Sequence, residues 1–139
     1  MYILDTNVIS ELRRGKPQPS QAVRAWAAER PANELYLSAI TVTEMEIGTA
    51  LTERRDAARG AILRSWTERT LQAFEGRVLD FSGRTALVCA PLHVPDKKSF
   101  RDSMIAATAL EHRFSIVTRN VEDFKIAGLR VVNPWEHAI

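Results

Sequence analysis

Residues 1–12 of the chain read MYILDTNVISEL, and the rest of the fold can be predicted outward from this stretch. Apolar residues 2–4 are followed at once by Asp5, Thr6 and Asn7 and then by a helical pattern, which is typical of a buried strand that leads into a helix. A carboxylate at such a junction lies at the carboxyl edge of a sheet, where open α/β folds carry their chemistry. Aspartate is also a preferred helix N-cap, so Asp5 taken alone favours the cap.

Composition places the chain among ordinary globular proteins. Its 139 residues suit one domain, and 45% hydrophobic with 26% charged residues is an average balance. No run approaches the roughly 18 apolar residues of a membrane helix, and no basic segment precedes an apolar leader. Cys89 is the only cysteine, which excludes a disulfide framework and a thiolate metal cluster. We therefore expect a cytoplasmic protein, a single domain over residues 1–139, with no membrane contact.

Short strands alternate with helices along the chain. Strands are predicted near residues 2–4, 35–37, 78–81, 115–118 and 129–132. Ser20, Ser82 and Ser99 each stand where a following helix would begin, and Gly60 is expected to divide the long helical stretch 53–75 into two helices. This alternation predicts an α/β fold, a three-layer α/β/α domain with a roughly five-stranded parallel sheet.

Glu44 follows the second strand in the segment TVTE. Thr41 to Glu44 matches a capping box, a structural use of the glutamate worth about 1 kcal/mol. The same box would fix Glu44 in the first turn of a helix, close to the carboxyl edge of the sheet. Glu46, two residues further on, is expected to point elsewhere, into solvent.

Asp102 lies in an unusually apolar helix. Its neighbours three, four and seven residues on are Ile105, Ala106 and Ala109, so its side chain is predicted on the small-residue side of a buried helix. A carboxylate there is costly unless something compensates its charge. This favours a ligand role over a capping arrangement with Ser99.

A last polar cluster follows the fourth strand. Thr118 and Asn120 come directly after it, and Asp123 lies one helical turn further on. An Asx-turn that starts a helix would explain Asn120 equally well.

Four strand-to-helix junctions thus carry an acidic or amide oxygen. Oxygen ligands without a cysteine or histidine cluster suit Mg²⁺ or Mn²⁺, and a divalent metal in an acidic pocket indicates phosphoryl chemistry with a metal-activated water. If Asp5, Glu44, Asp102 and Asp123 are assigned to this pocket, 13 acids remain against 19 Lys and Arg. The rest of the surface then has a net charge of about +6. Grouped basic side chains suggest a nucleic-acid partner. The candidates are Arg13, Arg14, Lys16, Lys97, Lys98, Arg101 and Arg119.

At these residues the chain resembles the PIN-domain ribonucleases, in particular the toxins of type II toxin–antitoxin modules (VapC-type, with the FitB-like branch). The matching segments lie in the family's order and span nearly the whole chain. They are LDTNVISEL at 4–12, LSAITVTEMEIG at 37–48, RDSMIAATAL at 101–110, VTRNVEDF at 117–124 and VNPW at 132–135.

The resemblance implies that Asp5, Glu44 and Asp102 are catalytic acids that gather Mg²⁺ or Mn²⁺, with the hydroxyls of Thr6 and Thr118 nearby. The family's fourth acid usually follows Thr-Arg, where this chain has Asn120. Three interpretations stay open: Asn120 hydrogen-bonds a metal-bound water, Asp123 supplies the charge instead, or a second metal binds weakly. The charged segment VPDKKSF before Asp102 also departs from the family.

The resemblance further implies an RNA substrate, a homodimer and a small antitoxin that binds operator DNA and blocks the active site. The stretch with Ile62, Trp66 and Phe74 would offer a groove for the antitoxin or the dimer, or simply pack in the core. The leading hypothesis is a metal-dependent endoribonuclease toxin. The alternative is a PIN domain that binds RNA or a protein partner without cutting.

Phosphotransfer enzymes of other α/β families fit less well. A phosphatase of the haloacid dehalogenase type needs a second Asp two residues after Asp5, where Asn7 stands. A receiver domain needs a phosphoacceptor at the end of the third strand, and Asp80 comes too early.

Overall fold

A computed structural model describes all 139 residues. Its centre is a five-stranded sheet in which every pairing is parallel, in the order β3-β2-β1-β4-β5. The strands are β1 (Tyr2–Leu4), β2 (Leu35–Ser38), β3 (Val78–Leu79), β4 (Ser115–Val117) and β5 (Val131–Val132). The two edge strands are shorter than predicted because each pairs with one neighbour only, over two residues.

Six α-helices connect these strands and cover the sheet. They are α1 (Thr6–Glu11), α2 (Gln21–Ala28), α3 (Ala39–Arg55), α4 (Ala57–Ala73), α5 (Gly83–Cys89) and α6 (Phe100–His112). The side chains of Ser20, Ser82 and Ser99 accept the backbone N–H three residues on, which confirms all three predicted N-caps. No helix has the length and apolar content needed to cross a membrane.

Two hydrophobic clusters lie on opposite faces of the sheet. Leu4 and Val117 belong to one cluster and their neighbours Ile3 and Ile116 to the other, as expected when successive strand residues point to opposite faces. The first cluster is covered by residues of α1 to α4, the second by α6. Helices therefore cover both faces of a buried parallel sheet, and the predicted α/β/α fold is confirmed.

Two local predictions were wrong. Helix α3 begins at Ala39, and Ser38 is its N-cap, accepting the N–H of Thr41. The box from Thr41 to Glu44 therefore does not form, since the helix starts earlier than the TVTE pattern suggested.

Gly60 does not divide the helical stretch either. The break falls at Asp56, which ends α3 and caps α4 by accepting the N–H of Arg59. Gly60 is buried inside α4, where an added Cβ would lie 2.4 Å from the Cα of Glu53. Its role is to let two antiparallel helices approach closely.

The strand order defines where a site can form. The chain proceeds from β1 outward to β2 and β3, then returns to place β4 on the other side of β1. In parallel sheets this reversal opens a crevice beyond the carboxyl ends of the two central strands. Asp5 directly follows β1 and Thr118 directly follows β4, so both lie at the crevice.

Candidate active site

Asp5 is the most buried acid of the chain, with 0% of its surface exposed. It caps α1 by accepting the backbone N–H of Thr6 on Oδ1 at 2.7 Å. Its other oxygen, Oδ2, accepts the Thr118 hydroxyl at 2.7 Å, and the amide of Asn7 lies at 3.4 Å. Capping of α1 is therefore compatible with a carboxylate at the switch point, because the helix start itself holds Asp5 there.

Glu44 reaches the same crevice from the second turn of α3. Its Oε1 accepts the hydroxyl proton of Thr6, so neighbouring helices fix the carboxylate. Glu46, in contrast, points away and forms an ion pair with Arg64 at 2.8 Å. The prediction that these two glutamates point in different directions is correct, although Glu46 is paired.

Asp102 enters from the first turn of α6, whose N-cap Ser99 accepts the Asp102 N–H at 3.1 Å. Its side chain is 20% exposed, so it borders the crevice and does not lie within the apolar core. The cap uses only the backbone N–H of Asp102, so capping by Ser99 is compatible with a carboxylate directed into the crevice.

The guanidinium of Arg101 joins the three acids. Its Nη2 lies 2.5 Å from Asp5 Oδ1, its Nε 2.7 Å from Glu44 Oε2, and its Nη1 2.9 Å from Asp102 Oδ1. A fourth bond, from Nη2 to Glu44 Oε1, measures 3.0 Å. Three separate elements thus send a carboxylate to one cation. From the sequence, Arg101 was predicted only to contact the phosphate backbone of a nucleic acid. Its position next to Asp102 was the one indication that it pairs with an acid of the site.

Arg101 is a permanent positive charge in this environment. Burial alone would lower its pKa, but the hydrogen bonds to Glu44 and Asp5, the charge of Asp5 and the bond to Asp102 outweigh that effect and raise the pKa of Arg101 above its ordinary value. Three carboxylates with one guanidinium leave the cluster a formal charge of −2.

The donor set fits a hard divalent cation, because three carboxylates from different elements face one common cation. With Arg101 between them, however, the acids surround a guanidinium, and no three His, Cys, Asp or Glu side chains lie close enough together to hold a metal. The predicted ligands Asp5, Glu44 and Asp102 are therefore brought to one place, spaced around an arginine.

The residues after β4 are placed differently from these three acids. The backbone N–H of Asn120 donates to the Thr118 hydroxyl at 3.0 Å, which ties the turn to the site, while the Asn120 side chain is exposed. Asp123 is also exposed, in a 3-10 turn over residues 121–124, and takes no part in the ion pairs that join the three acids to Arg101.

Asn7 also lies at the crevice, although it was not among the residues predicted there. Its amide lies 3.3 Å from the Thr118 hydroxyl and its carbonyl oxygen accepts the backbone N–H of Arg119 at 3.3 Å. It therefore bridges the ends of β1 and β4. Its position directly after Asp5 and Thr6 could have indicated this place. A polar residue there is also common at the start of a helix, so the sequence alone did not distinguish the two.

The basic side chains proposed as phosphate guides occupy different settings. Lys97 and Lys98 are exposed just before α6, at the rim of the site. Arg119 is exposed after β4, stacked on Trp135 at 5.1 Å. Lys16 is instead paired with the buried Glu11 at 2.9 Å, so its charge is already compensated.

A second polar cluster lies behind the site at Ser103. Its buried hydroxyl is 2.8 Å from His93 Nε2 and 3.4 Å from Cys89 Sγ. His93 Nδ1 accepts the N–H of Lys98, so the ring proton is assigned to Nε2, which donates to Ser103. The serine donates to the Phe100 carbonyl. No base is available to activate the hydroxyl, and the cluster orders the loop before α6.

The predicted groove residues separate in the structure. Phe74 is buried in the core and Ile62 is 66% exposed, whereas Trp66 lines an open cavity of about 510 Å³ between the end of α1 and α4. Its other lining residues are Leu12, Arg14, Arg69 and Thr70. The cavity thus has an apolar floor with two basic side chains.

A parallel sheet with acids gathered at its switch point defines the class, and the family assignment agrees. The PIN domain family model matches residues 2–128, and the chain belongs to this family. VapC ribonuclease Y4jK of Sinorhizobium fredii is 42% identical, covering 99% of this chain and 100% of that protein. Toxin FitB of Neisseria gonorrhoeae is 38% identical, covering 97% and 99%.

A solved structure, FitAB bound to an IR36 DNA fragment, superposes with a TM-score of 0.89 at 37% identity, covering 100% of this chain and 99% of that one. The resemblance to PIN-domain toxins is therefore confirmed.

Proposed function

We propose that this protein is a Mg²⁺- or Mn²⁺-dependent endoribonuclease that serves as the toxin of a type II toxin–antitoxin pair. The observation that carries the proposal is the convergence of three carboxylates from β1, α3 and α6 on one cation position at the switch point. Membership of the PIN family, with relatives named as a ribonuclease and a toxin, supports the same conclusion.

Asp5, Glu44 and Asp102 would hold the divalent ion, which when bound would supply an activated water and stabilise the developing charge on the phosphodiester. The protein contributes orientation. Asp5 is held by bonds on both of its oxygens, and Glu44 by the Thr6 hydroxyl, so neither carboxylate has to be ordered when substrate binds.

The far side of the pocket would be completed by the turn after β4. The Asn120 amide, whose own backbone N–H donates to the Thr118 hydroxyl, would hydrogen-bond a water or a phosphate oxygen. Asp123 lies exposed in the 3-10 turn, and its carboxylate has no hydrogen bond that ties it to the site. We therefore assign the closing role to Asn120 in preference to Asp123.

RNA would lie along the basic rim. Lys97 and Lys98 before α6, and Arg119 after β4, flank the acidic crevice on two sides and would contact the phosphate backbone without reading bases. Such contacts would hold the phosphate backbone over the acids. The negative charge of the pocket is confined to the three carboxylates and would be offset by the basic side chains around it.

Two protein partners complete the proposal. A small operator-binding antitoxin would block the site and place an amphipathic segment in the cavity of Leu12, Arg14 and Trp66, whose two arginines suit an acidic peptide. A homodimer would bury Leu87 and Phe100, apolar side chains that are largely exposed in the single chain.

The test is cleavage of a labelled RNA pool by the purified chain. We expect cleavage with Mg²⁺ or Mn²⁺ and none with EDTA. Asp102→Ala should lose both cleavage and the calorimetric signal of Mn²⁺ binding, whereas Glu46→Gln, on α3 but paired with Arg64, should keep both.

Cleavage that survives EDTA would contradict the metal assignment. Binding of Mn²⁺ and RNA by the wild type with no cut in any RNA would favour the non-cutting alternative. In cells, growth arrest relieved by co-expression of the adjacent small reading frame would support the toxin role, and harmless expression would oppose it.

A further inference from the structure

Arg101 occupies the place that a divalent ion would need. We propose that this arginine is an internal cation that competes with the metal for the three carboxylates, so that metal binds only when the guanidinium leaves. The inference rests on the proposed metal-dependent function and adds a control on metal loading that is built into the chain itself.

The contacts of Arg101 carry the argument. Each of its three guanidinium nitrogens donates to a different carboxylate, with Nε to Glu44, Nη1 to Asp102 and Nη2 to Asp5. The guanidinium has no backbone carbonyl or aromatic partner. Its only bonding partners are therefore the proposed metal ligands, and the oxygens it holds are those that face the centre of the site.

The position of Arg101 also permits it to leave. Its side chain is 32% exposed, whereas Asp5 beneath it is fully buried. It belongs to the first turn of α6, next to the exposed Lys97 and Lys98, so rotation about its own side-chain bonds brings it into solvent. When Arg101 moves, the hydroxyls of Thr118 and Thr6 still hold Asp5 and Glu44. The Asp102 carboxylate bonds only to Arg101, so it becomes free to turn toward an ion.

The charges of the two cations explain why either Arg101 or a divalent ion can occupy the site. Three carboxylates at close range repel one another unless a cation lies between them. The guanidinium compensates one charge and a divalent ion two, so the metal is the better counterion once its concentration suffices. At low metal the arginine keeps the acids assembled, and at high metal it is displaced.

The test compares Mn²⁺ affinities by calorimetry at fixed pH. Arg101→Met removes the guanidinium without adding an oxygen ligand, and Arg64→Met is the matched control. Arg64 also bridges carboxylates, those of Glu46 and Glu53, but away from the site. If the wild-type site is open in about one molecule in ten, its apparent dissociation constant is raised about tenfold. Arg101→Met should therefore bind Mn²⁺ about tenfold more tightly, and Arg64→Met like the wild type.

A second measurement uses the wild-type protein alone. In a metal-free sample the Arg101 Nε–H should be protected from exchange with water by its bond to Glu44, and saturating Mg²⁺ should accelerate that exchange at least about tenfold. An arginine with a merely structural role would show no such response.

The outcomes separate this inference from the function on which it rests. If neither the wild type nor any variant binds Mn²⁺, the metal-dependent function itself fails. If the wild type binds Mn²⁺ but Arg101→Met binds it equally or more weakly, or the Nε–H stays protected in Mg²⁺, the competition is refuted and the nuclease proposal stands.

Discussion

Replacing the buried acid, Asp5→Asn, should separate chemistry from folding. The Thr6 N–H and Arg101 can keep a carbonyl oxygen as acceptor on the Oδ1 side. On the Oδ2 side the new amide group faces two donors, the Thr118 hydroxyl and the Asn7 amide, so the hydrogen bond from Thr118 is lost. The hydrogen bonds at Oδ1 therefore survive, while the protein loses the bond from Thr118 and the charge that strengthens the bond from Arg101.

The magnitude follows from that difference. Weakening one charge-assisted hydrogen bond to a neutral one and losing a second bond costs about 2–3 kcal/mol, or a fall in Tm of about 8–12 °C for a chain of this size. Removing one of three anionic ligands should have a far larger effect on turnover. We expect RNA cleavage to fall at least about a thousandfold, equivalent to about 4 kcal/mol in the activation free energy.

Thermal unfolding with and without Mn²⁺ is the direct assay. Metal at about one hundred times its dissociation constant stabilises a folded protein by about 2.7 kcal/mol, so the wild-type Tm should rise by about 10 °C. Asp5→Asn should gain almost nothing. Glu46→Gln, which neutralises the α3 glutamate paired with Arg64 away from the site, should respond like the wild type. A folded Asp5→Asn protein that cleaves RNA at the wild-type rate, or is stabilised equally by Mn²⁺, would refute the reasoning.

Two further predictions concern stability. Gly60→Ala should destabilise the protein by about 1–3 kcal/mol in urea unfolding, because its Cβ would lie 2.4 Å from the backbone of Glu53. Gly48→Ala, on the same helix pair but with nothing within 4 Å, should instead stabilise by about 0.5–1 kcal/mol, and equal effects of the two would contradict the packing argument. Burial raises the pKa of Glu11, but the hydrogen bond from Lys16 and other contacts lower it overall below its ordinary value of 4.5. Its charge therefore stabilises the fold above about pH 4.5, and the advantage is lost as the pH falls through the folded pKa. The stability difference between wild type and Glu11→Gln should thus be present at neutral pH and vanish in acid, and a difference that is constant across pH would show that the charge is not its source.

The alternation of short apolar runs and helical patterns along the sequence determined the class of fold. Short apolar runs that alternate with helical patterns can be buried only in a parallel sheet covered on both faces. Polar residues after β1 and β2 also pointed to Asp5 and Glu44, because parallel strands carry their following residues to one edge. Asp102 follows no strand and was singled out by the apolar helix around it. Serine caps at 20, 82 and 99 needed nothing beyond local hydrogen bonding.

The tertiary structure decided what those residues contact. Residues 5 and 101 are 96 positions apart, and no local pattern predicts that Arg101 turns inward to bridge three acids when its neighbours Lys97 and Lys98 remain in solvent. Gly60 likewise looks like a helix breaker until the second helix packs against it. Sequence periodicity determines which face of an element is buried, but the partner of a charged side chain depends on the distances that the assembled sheet and helices impose.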